Sequence, residues 1–175
     1  MRDSGAANQY EFAATATSDT PVPSERDGSK LPVSPKPGDT LCVFNLNRES
    51  FLSLSVKPAD THLSRLKGLL GRSKLRSDEG LWTVPSQGIH TLFLLFPIDL
   101  IYLDANNRVI HLIENLGPFR IAPIRMDSAS VLQLRTRTIF SSDTQIGDEL
   151  LIGSPQEIEL FCKDRQPMQI GRAHV

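Results

Sequence analysis

Gly80-Leu-Trp-Thr-Val-Pro-Ser-Gln-Gly-Ile-His-Thr-Leu-Phe-Leu-Leu-Phe-Pro-Ile-Asp-Leu-Ile-Tyr-Leu-Asp104 is the stretch that decides the fold class. Pro85, Gly88 and Pro97 cut it into apolar runs of strand length, too short for ordinary helices. Leu81 to Val84, Ile89 to Leu95 and Ile98 to Leu103 are the three strands it predicts. His90, Asp99 and Asp104 are one histidine and two carboxylates inside this otherwise apolar block.

Downstream, Asp104-Ala-Asn-Asn107 reads as a turn, and Arg108 to Ile113 as the antiparallel partner that follows it. Strict alternation places Val109, His111 and Ile113 on one face, Ile110 and Leu112 on the other. Leu116 to Pro123 reads as extended or turn-rich. Ser130 to Leu134 is a further strand, Glu149 to Ile152 another after a Gly147-Asp148 turn, and Ile158 to Cys162 an edge strand. Upstream, Leu41 to Leu46 and an alternating Leu52, Leu54, Val56 form two strands around an Asn47 to Ser50 hairpin turn. A helix capped by Asp60 or Thr61 carries Leu63, Leu66, Leu69 and Leu70 on one face and ends at Gly71. The expected fold is mainly β: a small antiparallel β-sandwich or barrel with one short helix.

The predicted organisation is a disordered leader over residues 1–39, one β-domain over 40–162 and a tail over 163–175. The leader holds Pro21, Pro23, Pro32, Pro35 and Pro37 among Ser, Thr, Asp and Ala, with little apolar surface to bury. Ile170-Gly-Arg-Ala-His-Val175 reads as a translated sequencing adapter (ATC GGA AGA GCA CAC GTC, then a TGA stop), so these residues, His174 included, carry no functional argument.

Hydrophobic residues make up 39% and charged residues 22%, the proportions of a soluble globular protein. A net charge of -1 gives no electrostatic footing for nucleic acid. No apolar run reaches the ~18 residues of a spanning helix, and the N-terminus lacks the apolar core of an export signal, so cytoplasmic residence is expected. Cys42 and Cys162 are expected as unpaired thiols, although a pairing between them stays open. Neither has a Cys or His at ligand spacing, so no metal ligands are assigned and no cofactor is expected.

The order of motifs resembles the domain of unknown function 192 family, also called uncharacterised protein family 0127, in its His-Thr branch. The resemblance rests on Gly68, Gly71 and Arg72, then Gly80 and Trp82, His90-Thr91, Pro97 with Asp99, Leu103-Asp104 with Arg108-Val109, Val131-Leu132, and Gly147-Asp148. It covers roughly Phe51 to Ile152 and implies a small β-fold of uncharacterised function. Many relatives begin with a secretory signal, from which this N-terminus departs. Where relatives carry Val-Leu-Glu-Leu-Pro-Ala-Gly, this chain has Val131-Leu-Gln-Leu-Arg-Thr-Arg137, so the acidic residue is Gln133 and Arg135 and Arg137 are added.

A candidate cleft contains Arg72, His90, Thr91 and Asp99. Asp99 lies between Ile98 and Leu100, where an unpartnered carboxylate costs several kcal/mol, so it either pins backbone amides or opens onto a cavity. The first of these is favoured. His90 with Asp99 would make an acid–base pair, but neighbouring His90 and Thr91 point to opposite faces on a strand. Ser86 invites a Ser-His-Asp proposal and lacks the nucleophile-elbow context. Arg72 suits either an anion or the negative end of the helix, and the latter is favoured. No catalytic residue is assigned. Trp82, Gly71, Pro97, Asp104, Gly147 and Asp148 are expected to be structural. The expected function is non-catalytic binding of a small molecule or a protein. The alternatives are a hydrolase or other acid–base enzyme using His90 and Asp99, and a structural accessory domain.

Overall fold

A computed structural model describes residues 38–59, 69 and 71–165. Among these residues seven strands are present: β1 (Leu41–Asn45), β2 (Ser50–Ala59), β3 (Glu79–Thr83), β4 (Ile98–Leu103), β5 (Val109–Leu116), β6 (Ser130–Arg135) and β7 (Leu150–Gly153). Two short helices, α1 (Thr138–Ser142) and α2 (Pro155–Arg165), flank β7. The strands form one sheet in the order β5-β4-β6-β3-β2-β1-β7, antiparallel except for the β2–β3 pair, which is parallel. The sheet curls until its two edge strands meet at one end. There Arg108 bridges Glu149, and the Val109 N–H donates to Asp148 O at 2.8 Å. The result is a half-closed barrel, which hides part of each sheet edge.

Both faces of this sheet are buried. The concave face holds Val43, Val56, Trp82, Ile101, Leu103, Leu132, Leu134 and Ile152. The convex face holds Leu81, Ile98, Leu100, Tyr102 and Val131 beneath Leu94, Phe96 and Ala122 from two long loops. A strand covered on both sides reads as a continuous apolar run, which is why β4 is Ile-Asp-Leu-Ile-Tyr-Leu with every residue buried. Gly80 lies on the concave side of β3, closely packed against β2 and β6. A Cβ there would come within 2.7 Å of Leu134 Cδ2 and 3.1 Å of Val56 Cγ2.

Three expectations need correction. Ile89 to Leu95 is not a strand. Its backbone pairs with the loop after β5, through a single His90–Ile121 bridge, Thr91 N–H to Arg120 O at 2.7 Å and Ala122 N–H to Ile89 O at 2.9 Å. Pro118 and Pro123 in that loop lack the N–H groups a regular ladder needs. Ile158 to Cys162 lies within helix α2, not an edge strand. Ser154 and Glu157 form a capping box, with Ser154 N–H on Glu157 Oε2 at 2.7 Å and Glu157 N–H on Ser154 Oγ at 3.3 Å. Pro155 sits at the first helical position, where its missing N–H is harmless. Finally, β5 does not alternate cleanly. A bulge at Ile110 pairs Val109 with Leu103 but His111 with Tyr102. Val109 and Leu112 therefore serve the concave core, while Ile110 and Ile113 pack on the convex one.

The helix expected from Asp60 or Thr61 lies almost wholly outside the described residues. Leu69 is helical and buried, and Gly71 adopts φ 73°, the left-handed conformation of a helix end. The leader expected over 1–39 and the adapter-like residues 170–175 also lie outside the described residues, apart from Gly38 and Asp39. Cys42 and Cys162 are both free, and burial pushes the Cys42 thiol upward. Among the described residues, no helix is long and apolar enough to cross a membrane.

Candidate functional site

Asp99 projects from the middle of β4 toward the concave side and is 0% exposed. Its Oδ1 accepts the Asn115 N–H at 2.9 Å and its Oδ2 accepts the Ile139 N–H at 3.0 Å. Asn115 is a left-handed residue (φ 54°) at the second irregularity of β5, and Ile139 lies in the first turn of α1. No side chain caps that helix from Arg137. One carboxylate thus fastens the bulged edge strand and supplies α1 with an acceptor from a distant strand.

Thr91 is also 0% exposed. Its hydroxyl accepts the Arg120 N–H at 2.9 Å and lies 2.8 Å from Gly117 O, tying the two long loops together. His90 is exposed, with its ring edge-on to Phe93. Ser86 Oγ donates to Gly88 O at 3.0 Å. Arg72 is paired with Glu79 at 2.8 Å, at the start of β3. No hydrogen bond or ion pair joins any two of Arg72, His90, Thr91 and Asp99 among the described residues.

Of these four, Arg72 lines a cleft among the described residues. A cleft of about 400 Å³ opens beside β2 and β3, walled by Leu69, Leu75 and Leu81, with Lys57, Arg72 and Glu79 supplying charge. Lys57 has no ion pair among the described residues. The cleft volume falls in the range of small-molecule sites, and its mostly apolar wall with a few polar groups is their usual composition. Arg137 instead lies over the Phe140 ring at 6.0 Å. Gln133, which stands where relatives carry an acid, donates to buried Thr83 Oγ1 at 3.0 Å.

Two polar clusters were not legible as clusters in the sequence. In one, Arg125 Nη2 meets His111 Nδ1 at 3.0 Å, the His111 ring stands edge-on to Tyr102, and Tyr102 donates to Pro123 O at 2.9 Å. Burial and the Arg125 charge hold the His111 pKa below its ordinary value, with Asp127 opposing them. In the other, Asp148 Oδ2 accepts Asn45 Nδ2 at 2.9 Å, Gln145 N–H at 2.9 Å and Arg48 Nε at 3.1 Å. Burial pushes the Asp148 carboxyl upward. The hydrogen bonds and the Arg48 charge outweigh burial and leave the pKa below the usual range. Such a group adds stability above its unfolded pKa of about 3.9, and loses that contribution as pH falls through the lower folded value. Acid unfolding followed by circular dichroism is expected to show a shallower stability loss below about pH 4 for Asp148→Asn than for the parent. Superimposable acid limbs would mean that Asp148 carries none of the pH dependence. Asp104 plays a smaller local part, its Oδ1 accepting the Asn106 N–H at 2.7 Å and the Arg108 N–H at 2.9 Å in the turn before β5.

Comparison with solved structures gives the fold alone. A crystal structure of a protein of unknown function from Novosphingobium aromaticivorans superposes with a TM-score of 0.55 at 19% identity, covering 64% of this chain and 83% of that one. A putative transcription regulator from Sinorhizobium meliloti gives a TM-score of 0.54 at 20% identity, covering 63% of this chain and 90% of that one. No curated protein sequence matches the chain. The sequence profile of domain of unknown function 192, described as an uncharacterised ACR, matches residues 43–152, well over half of the chain, and the chain belongs to that family.

Proposed function

We propose that this domain is a non-catalytic binding module that holds a small, largely apolar ligand with an acidic group in the cleft beside Arg72. The observation that carries the reading is the make-up of that cleft: leucine walls, an exposed Lys57 with no ion pair among the described residues, and an Arg72–Glu79 pair at its edge. A ligand carboxylate would meet Lys57 directly and could share the Arg72 guanidinium, whose fork of N–H groups donates to two oxygens. Its apolar part would lie against Leu69, Leu75 and Leu81. An acid–base enzyme using His90 and Asp99 is less well supported. Both carboxylate oxygens of Asp99 already accept backbone amides, and His90 pairs with a different loop.

The test uses a dansyl-labelled fatty acid as probe. Saturable fluorescence enhancement is expected, with affinity falling about tenfold in Lys57→Gln combined with Arg72→Gln, as removal of two solvent-accessible charged partners implies. No saturable binding, or binding indifferent to both substitutions, would remove the cleft from consideration.

A further inference from the structure

The two long loops that cover the convex core turn a second apolar layer outward. Phe93 and Leu95 on one loop, and Phe119, Ile121, Ile124 and Met126 on the other, are all exposed, with Phe119 at 64%, Ile121 at 74% and Met126 at 77%. Backbone bonds make the loops one surface: Phe119 N–H to Thr91 O, Thr91 N–H to Arg120 O, Ala122 N–H to Ile89 O and Arg125 N–H to Gln87 O. Scattered single apolar residues need no explanation, but six large ones on two paired loops make a patch of the kind that marks an interaction site.

Within the two loops the charge has one sign, although exposed Glu114 and Asp127 flank the second loop on either side. From Val84 to Pro97 and from Leu116 to Met126 there is no carboxylate, while Arg120, Arg125 and His90 stand among the apolar side chains. Asp127 is the first acid beyond the second loop. The loops are also held before any partner arrives. Thr91 clamps Gly117 and Arg120, Tyr102 holds Pro123, and His111 holds Arg125. Little ordering entropy then remains to be lost on binding.

The geometry points to an anionic lipid surface as the occupant: the loop face lies in the headgroup region of the bilayer, its phenylalanine, isoleucine and methionine side chains reaching the acyl boundary and Arg120 meeting the phosphates. Apolar side chains that enter the interface, together with cations that meet anionic headgroups, form the two-part signal for reversible attachment. A second copy of the chain fits less well, because a two-fold contact through this face would gather the arginines of both copies in one interface with no carboxylate from either loop to pair them. The proposal stands independently of the cleft, which lies beside β2 and β3 and shares none of these residues.

Flotation of the full chain with vesicles tests it. Recovery with phosphatidylcholine–phosphatidylglycerol vesicles is expected, weaker recovery with phosphatidylcholine alone, and a decline as salt is raised. Phe119→Ser with Ile121→Ser should reduce partitioning about tenfold or more, and Arg120→Gln about fivefold, on the anionic vesicles only. The parent's melting temperature serves as the folding control. Leu95→Ser with Met126→Ser is an independent pair should the first unfold. No flotation with either vesicle would overturn the proposal, as would flotation untouched by both pairs. So would a dimer, seen by sedimentation, that these substitutions dissociate without changing flotation. Saturable binding of an acidic amphipathic peptide by a chain that does not float would assign the face to a protein partner instead.

Discussion

Trp82→Ala is expected to remove about 3–5 kcal/mol of folding stability, the usual cost of emptying a buried aromatic site. Trp82 lies on β3, near the centre of the sheet, between β2 and β6, and is 7% exposed. It pairs across the ladder with Leu132 and belongs to the concave core with Leu134, Ile101 and Val56. That core has no slack beside it, because Gly80, two residues earlier on the same face, already brings the Leu134 side chain against the backbone. Collapse into the vacated space would have to move a strand bonded on both sides, so the cavity should largely persist. The indole Nε1 is buried and has no partner among the described residues. Trp82→Phe should therefore cost much less than Trp82→Ala, because it keeps most of the ring and removes a donor that forgoes its hydrogen bond. Urea unfolding of the two variants gives the comparison. A loss below about 1 kcal/mol for Trp82→Ala would contradict the packing assigned to β3.

How much of this was legible follows from what each segment depends on. β4 was legible because a six-residue, mostly apolar run bounded by Pro97 and the Asp104 turn has the length of a strand and is too short for an ordinary helix. The Asn107 turn and the β6 and β7 strands were legible for the same local reasons. Ile89 to Leu95 looked like β4 by composition. What differs is its partner, a proline-bearing loop thirty residues away, and single-sequence periodicity does not register that. The α2 helix was missed although its signal was present. Ser154-Pro-Gln-Glu157 is a capping box with proline at the first helical position, but the Ile158 to Cys162 run that follows it has the length and composition of a strand.

The site was less legible still. Arg72, His90, Thr91 and Asp99 stand close in motif order, yet their partners come from Glu79, Ile121, Gly117 with Arg120, and Asn115 with Ile139, respectively. Residue types in one motif advertise capacity for chemistry, but the curl of the sheet decides which of them meet. The Asp148 cluster illustrates the converse. Asn45 and Arg48 lie roughly a hundred positions away in the chain, and only the β1–β7 pairing brings them together. The apolar loop face was hidden because its side chains alternate with buried ones. Composition alone could not separate Leu94 and Phe96, which cover the core, from Phe93 and Leu95, which face outward.

Asp99→Ala is expected to cost about 3–5 kcal/mol, the combined effect of two buried amides left without an acceptor and of the volume the carboxylate vacates. The two amides it serves, Asn115 and Ile139, belong to elements with few substitutes. The β5 edge is already bulged there, and α1 begins at a left-handed Arg137 that offers no side-chain cap. Each orphaned amide carries a desolvation cost of about 1–3 kcal/mol, and the vacated volume adds to it. Asp99→Asn separates charge from shape. Its carboxamide fits the same space, but only its oxygen accepts, so one amide must face an NH2 group instead. A smaller loss of about 1–3 kcal/mol follows. Hydrogen exchange gives the specific readout: faster exchange should be confined first to Asn115, Ile139 and their immediate neighbours, before any global destabilisation is visible. A ligand-anchoring role for Asp99 predicts the opposite pattern, parental stability and parental exchange with weakened probe binding. An Asp99→Asn variant that melted with the parent at neutral pH would end the structural assignment, because a carboxylate oxygen bonded to each of two buried amides cannot be exchanged for an amide nitrogen without loss.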